Sequence, residues 1–282
     1  IEIPGQEQVP ETMRVRSYPA EEKGGMLWIW MGDPEQANTN DIIDFAPLSE
    51  TDKWTGFDEP AYLHYDANWL LIVDNLSDFS HVAFVHTNTL GGSESYAYTS
   101  GPEVIERLDT GFRMDRWHYE SDPPPYHAKT IPAEEKSILV DRRNLIEMHI
   151  PGVFLMETSF RPTGQNEQAN QPGSYQYRNC QFMTPETRNT THFFWNYLHE
   201  AERQKPDLAE SLRVSLLEGF IEDKIIIEAQ QKLLQEDPTF DPKFLVADKP
   251  FALVRRIWNK RLEEEAQANP KPPPAYSRNR IL

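Results

Sequence analysis

The stretch Gly111-Phe112-Arg113-Met114-Asp115-Arg116-Trp117-His118-Tyr119 opens a series of short runs rich in Val, Ile, Phe, Tyr and Thr, continued by Ile138 to Leu145, Val153 to Phe160, Ser174 to Thr184 and Thr190 to Tyr197. β-branched and aromatic side chains suit a pleated, half-buried surface, so each run reads as a strand. Pro123-Pro124-Pro125 and the long polar segment from Gly164 to Gly173 supply turn and loop residues between them. Strands spaced this way predict a sequential antiparallel sheet.

On the C-terminal side, a long helix is expected from Asp207, just after Pro206, to Glu236, with Pro238 beyond its end. A final helix is expected from Pro250 to Ala268, and the tail 269–282, with Pro272-Pro273-Pro274, reads as polyproline II or disorder. On the N-terminal side, Ala61 to Asp74 reads as strand, and Asn75 to His86 has helical spacing of apolar residues, stopped by Gly91-Gly92. Before that, Met13 to Tyr18 and Met26 to Met31 read as two strands around the turn Glu22-Lys23-Gly24-Gly25. The polar run Gly32 to Asn40 suggests a linker, with a boundary near residue 36. The expected fold class is α+β: a helix, a long antiparallel sheet and a long C-terminal helix laid across it.

Composition narrows the function classes. The chain has 282 residues, 38% of them hydrophobic and 26% charged, enough for a real core. With 28 basic against 45 acidic residues the net charge is −17, which repels phosphate backbones, so nucleic acid is not an expected partner. No run of 18 apolar residues exists, so no bilayer span is expected. The single cysteine, Cys180, allows no internal disulfide and suggests a reducing, cytoplasmic setting in which it serves as a small buried apolar residue. Asn189-Thr190-Thr191 fits the glycosylation pattern without a secretory signal to give it meaning. Ile1-Glu2-Ile3-Pro4-Gly5 is neither an initiator nor a signal sequence and reads as the middle of a longer chain.

Two features could carry chemistry. On the long helix, Leu212, Leu216, Phe220 and Ile227 form an apolar stripe, and Asp223 falls in the same sector while Glu222 and Lys224 lie outside it. A carboxylate on a buried face must be ion-paired, hydrogen-bonded or bound to a metal. The second feature is Asn75, Asp78, His81 and His86, interleaved with Leu76, Phe79, Val82, Ala83 and Val85. His81 and His86 lie about 140° apart on an ideal helix, so they meet at one ion only if the helix distorts or ends between them. Two imidazoles and one carboxylate suit non-haem Fe(II), with zinc hydrolysis as the chemical rival. His199-Glu200-Ala201-Glu202-Arg203 lacks the second histidine of a metalloprotease helix, and no Gly-rich phosphate loop or GxSxG elbow is present. His64, His118, His127, His149 and His192 read as surface or pocket-lining side chains.

The segment from Asn75 to His86 resembles the DxxHxxxxH iron motif of Rieske non-haem iron aromatic oxygenases. Glu222 to Gln231 is similar to the later segment that supplies that family's third iron ligand, and Thr184-Pro185-Glu186-Thr187 through Trp195 is similar to the preceding strand. The branch it looks most like is the vanillate O-demethylase type, with the toluenesulfonate, phenoxybenzoate and dicamba oxygenases. The resemblance implies a helix-grip sheet around a hydrophobic pocket. It implies His81, His86 and Asp223 as ligands of a mononuclear Fe(II), Asp78 as the acid that bridges electrons from a neighbouring subunit, and Asn75 as a polar residue near the iron.

Ile3-Pro4-Gly5-Gln6 and Tyr18-Pro19 to Asp33-Pro34 are similar to the end of a Rieske domain, so residues 1–35 are expected to be its remnant, 36–268 the catalytic iron domain and 269–282 a Pro-rich tail. A Rieske [2Fe-2S] cluster needs two Cys and two His, which one cysteine cannot provide. The chain alone is therefore expected to bind iron and to fail with NADH. The implied activity is monooxygenation, by hydroxylation or O-demethylation, of an aromatic compound with O2, fed by a reductase or ferredoxin and carried out by a homotrimer. The alternatives are ring cis-dihydroxylation and a non-catalytic helix-grip ligand carrier.

Overall fold

The five strand runs expected between Gly111 and Tyr197 form, within a few residues of the expected ends, whereas Arg16 to Tyr18 of the expected first strand are not strand and that strand instead runs from Ala20 to Lys23, into the stretch read as a turn. The structure, a computed structural model, describes residues 16–91, 96–97, 100–165, 174–237, 239–240, 243, 245 and 248–268. The expectations for Ile3 to Gln6, Met13 to Val15, the middle of the 164–173 loop, Pro238 and the tail 269–282 lie outside the described residues.

The chain divides into two compact units, residues 1–49 and 50–282. In the first, β1 (Ala20–Lys23) and β2 (Met26–Ile29) pair antiparallel across Gly24-Gly25. The division lies downstream of the boundary the sequence suggests near residue 36, because the segment after the hairpin folds back onto it. Lys23 Nζ donates to Ile42 O at 3.3 Å and lies 3.7 Å from Asp44.

The second unit is built on one antiparallel sheet. Its strands are β3 (Trp54–Thr55), β4 (Ala61–Tyr65), β5 (Ser100–Arg107), β6 (Gly111–Ser121), β7 (Val140–His149), β8 (Val153–Pro162), β9 (Tyr175–Pro185) and β10 (Thr191–Glu200). The order is β3-β10-β9-β8-β7-β6-β5, with β4 also on β10, so the strands from β5 to β10 are each hydrogen-bonded to the next in sequence. β5 was not expected: Pro102 and two glutamates mask its pattern, and it lies at the sheet edge where proline and charge are tolerated.

The helices are α1 (Trp69–Ser77), α2 (Val82–Val85), α3 (Pro125–Ala128), α4 (Leu208–Glu236) and α5 (Lys249–Ala268). The expected strand from Ala61 to Asp74 is strand only to Tyr65 and helix from Trp69. Asn68 decides this by accepting a bond from Leu70 N at 2.9 Å, capping a helix whose apolar run is buried on nearly every side. α4 lays the expected stripe on the sheet, with the Phe220 ring edge-on to Trp195 at 4.8 Å and to Phe193 at 5.5 Å. α5 is tied to α1 by Arg255, which grips both oxygens of the Asp74 carboxylate. No helix among the described residues is long and apolar enough to cross a membrane.

Candidate metal centre

The segment after α1 does not continue as a regular helix. At Asp78 the backbone turns extended, at φ −126° and ψ 107°, and the Asp78 carboxylate caps a 3-10 turn, Phe79–His81, by accepting from Ser80 N and Ser80 Oγ, both at 2.8 Å. α2 follows and stops at Val85, leaving His86 at φ −108° and ψ 35°. Gly91 then returns over α2: its N–H donates to His86 O at 2.9 Å, and a Cβ there would lie 2.4 Å from Val82 O. The distortion that the spacing of His81 and His86 requires is therefore present, and their rings approach to 5.3 Å between centroids.

α4 brings Asp223 to the pair. Its Oδ1 lies 3.0 Å from His86 Nε2 and 3.5 Å from His81 Nε2. Among the described residues, His81, His86 and Asp223 are the one set of three His, Cys, Asp or Glu whose ligand atoms converge, all within 4.8 Å of one another. The outer nitrogens are engaged elsewhere: His81 Nδ1 bonds Asp78 O at 2.6 Å, and His86 Nδ1 bonds Glu222 Oε2 at 2.7 Å. Those bonds fix the tautomers that leave both Nε2 lone pairs facing Asp223. His86 Nε2 is fully buried and, although close to Asp223, lacks the geometry of a hydrogen bond. A buried ring nitrogen with a free lone pair, without a hydrogen-bond partner and beside a buried carboxylate, fits a metal ligand set of two imidazoles and one acid.

The electrostatics split the two imidazoles. Burial lowers the pKa of His81 despite the neighbouring Asp223. Burial also works against charge on His86, but Asp223 and Glu222 outweigh it and raise the pKa.

Asn75, at the end of α1, donates from Nδ2 to Asp223 Oδ1 at 3.1 Å. Asp78 is near the centre through its carbonyl on the His81 ring, while its carboxylate serves Ser80. Glu222, which the sequence leaves outside the stripe, holds His86 and accepts from Thr89 Oγ1 at 2.6 Å. An acid adjacent to a candidate ligand is the one signal that could have singled it out.

The centre opens on a cavity with about 600 Å³ of unfilled space, including its mouth, between the helices and the inner face of the sheet. Apolar walls come from Leu76, Phe79, Phe154, Met156, Leu216 and Phe220. Cys180 lies outside it, fully buried, its thiol pushed up to about 12 by burial.

Residues 65–264 match the family model of the vanillate O-demethylase oxygenase C-terminal domain. The chain belongs to that family. It is 36% identical over 243 residues to the toluene-4-sulfonate monooxygenase system iron-sulfur subunit of Comamonas testosteroni, covering 84% of this chain and 67% of that protein. It is 26% identical over 272 residues to the oxygenase component of dicamba O-demethylase from Stenotrophomonas maltophilia, covering 91% and 73%. The crystal structure of dicamba monooxygenase bound to 3,6-dichlorosalicylic acid shares its fold, with a TM-score of 0.81 at 24% identity, over 94% of this chain and 76% of that one. The α+β architecture and the family expected from the Asn75 to His86 segment both stand.

Proposed function

We propose that this chain is the catalytic part of an oxygenase component that binds a mononuclear Fe(II) through His81, His86 and Asp223 and monooxygenates an aromatic compound. The observation that carries the reading is the convergence of two imidazole Nε2 atoms and one carboxylate oxygen, within 4.8 Å, on the wall of a largely apolar cavity. These three residues would hold a ferrous ion with coordination positions left open, and the ion would supply the reductive activation of O2.

Each protein group has a separable task. Glu222 and Asp78 O orient the two rings by their Nδ1 bonds. Asn75 restrains the Asp223 carboxylate. The apolar walls hold an aromatic ring and keep water from the reactive site. Asp78, whose carbonyl oxygen holds the His81 ring, would bridge the path of electrons from a neighbouring subunit's Rieske [2Fe-2S] cluster, in a homotrimer fed by a reductase or ferredoxin. The unit from residue 50 onward carries this catalytic site, and the hairpin unit before it is the part similar to the end of a Rieske domain.

The test is iron analysis of the chain purified without added metal, with electron paramagnetic resonance of its nitric-oxide adduct. One iron per chain and a high-spin signal, both lost in His81→Ala, are expected. Iron-free protein that takes up none on reconstitution would overturn the reading in favour of a ligand carrier. In the complete system, one atom from labelled oxygen in the product supports monooxygenation, and two would make the enzyme a dihydroxylating one.

A further inference from the structure

Arg142 is the one buried arginine among the described residues, 6% exposed, and it lines the same cavity as the candidate metal centre. Other arginines on or beside the sheet have acids. Arg143 pairs with Asp115 at 2.6 Å, Arg178 with Glu157 at 3.2 Å, Arg161 with Asp141 at 3.7 Å and Arg203 with Glu200 at 2.8 Å. Arg142 has no carboxylate within 4.0 Å among the described residues. Its Nη1 donates to Leu90 O at 3.2 Å, its Nε is buried without an acceptor, and the guanidinium rests 5.1 Å from the Tyr96 ring centroid and 5.5 Å from that of Phe160.

A guanidinium stays charged wherever it is placed, and a buried charge with an unsatisfied N–H is costly unless something neutralises it. Asn144, two residues along β7 and so on the same face, also lines the cavity. Thr158 Oγ1 donates to Asn144 Oδ1 at 3.0 Å, which occupies the acceptor end of that amide and leaves its NH2 to the cavity. A cation and an amide donor on one wall, in a chain of net charge −17, make a local site for an anion where the surface as a whole repels anions.

We infer that Arg142, assisted by Asn144, is a specificity-determining residue that anchors an oxyanion substituent, carboxylate or sulfonate, on the aromatic substrate. The inference rests on the oxygenase reading for the word substrate, but the anion site itself is independent of the metal. An aromatic acid anchored there lies in the cavity onto which His81, His86 and Asp223 face, so the anchor fixes which part of the ring system is presented to them.

The test uses the whole chain freed of metal by chelation, titrated calorimetrically with 4-methylbenzoate and 4-toluenesulfonate against the neutral 4-methylbenzamide and 4-toluenesulfonamide. The wild-type chain is expected to bind at least one anion about tenfold to a hundredfold more tightly than its amide, the range of a charged hydrogen bond. Arg142→Met removes that preference, and Arg142→Lys keeps part of it. Which anion is preferred identifies the oxyanion. Equal binding of acid and amide by the wild-type chain, no binding of either anion up to millimolar concentration, or an undiminished preference in Arg142→Met would overturn the inference and leave Arg142 a structural cation held by Leu90 O and two rings. Because no metal is present, none of these outcomes depends on the iron reading, whose failure shows separately in the metal analysis.

Discussion

His86 Nδ1 donates to Glu222 Oε2 at 2.7 Å, so the acid next in sequence to the candidate ligand Asp223 holds the opposite edge of the same imidazole. One turn of α4 thus fixes a ring from both sides. Glu222→Ala is expected to weaken iron binding about 10–100-fold, the usual effect of removing an outer partner of a ligating histidine. Glu222→Gln, whose carbonyl oxygen still accepts from Nδ1–H, is expected to retain most of the affinity. Competition with a chelator of known iron affinity measures both. Equal loss in the two variants would contradict an orienting role.

Asn75 acts on the other ligand. Its Nδ2 bond to Asp223 Oδ1 restrains the carboxylate, so Asn75→Leu leaves a buried acid with one donor fewer. Iron affinity is expected to fall by about tenfold, a single hydrogen bond to a charged group, with the thermal midpoint of the metal-free chain changed little. Unchanged iron affinity in Asn75→Leu would remove it from the centre.

His127 gives the fold an acid dependence away from the site. Burial, reinforced by Arg142 and Arg203, lowers its pKa from 6.5 to about 3; the ring is stacked on Phe160 at 4.0 Å, and its Nδ1 lies 2.8 Å from Tyr177 OH. The unfolded chain binds a proton there below pH 6.5 while the folded chain does not, so stability is full above that value and falls as pH drops toward 3. From pH 8 to pH 5 this group alone accounts for about 2 kcal/mol. Denaturant unfolding of His127→Gln is expected to show a shallower loss over that range than the wild type, and parallel curves would refute the assignment.

Gly219 lies where α4 crosses Leu90. A Cβ there would be 2.6 Å from Leu90 Cγ, and Leu90 also supplies the carbonyl that holds Arg142. Alanine in a helix interior is ordinarily better than glycine by up to about 1 kcal/mol. Here overpacking of about 1–3 kcal/mol opposes it, so Gly219→Ala is expected to lower the melting temperature by a few degrees. A raised melting temperature would show that Leu90 yields freely.

The elements legible in the sequence are those with strong local signals. The runs from Gly111 onward became β6 to β10, and the stripe Leu212, Leu216, Phe220 and Ile227 with Asp223 among them lies buried on α4. Trp69 to Val73 misled, because a short apolar run buried on all sides has no period, and only the Asn68 cap distinguishes its helix from a strand. The break at Asp78 was legible only as a condition on His81 and His86. Glu222 and Arg142 were not legible as site residues, since the first depends on the angle at which α4 meets the loop after α2, and the second on the register of β7, neither of which is local.

The most direct test of the central claim is X-ray diffraction from crystals of the chain grown with ferrous iron under anaerobic conditions, recorded on either side of the iron absorption edge. One anomalous peak is expected, bonded to His81 Nε2, His86 Nε2 and an Asp223 carboxylate oxygen. Iron bound elsewhere, or those three side chains turned apart with no anomalous peak between them, would contradict it.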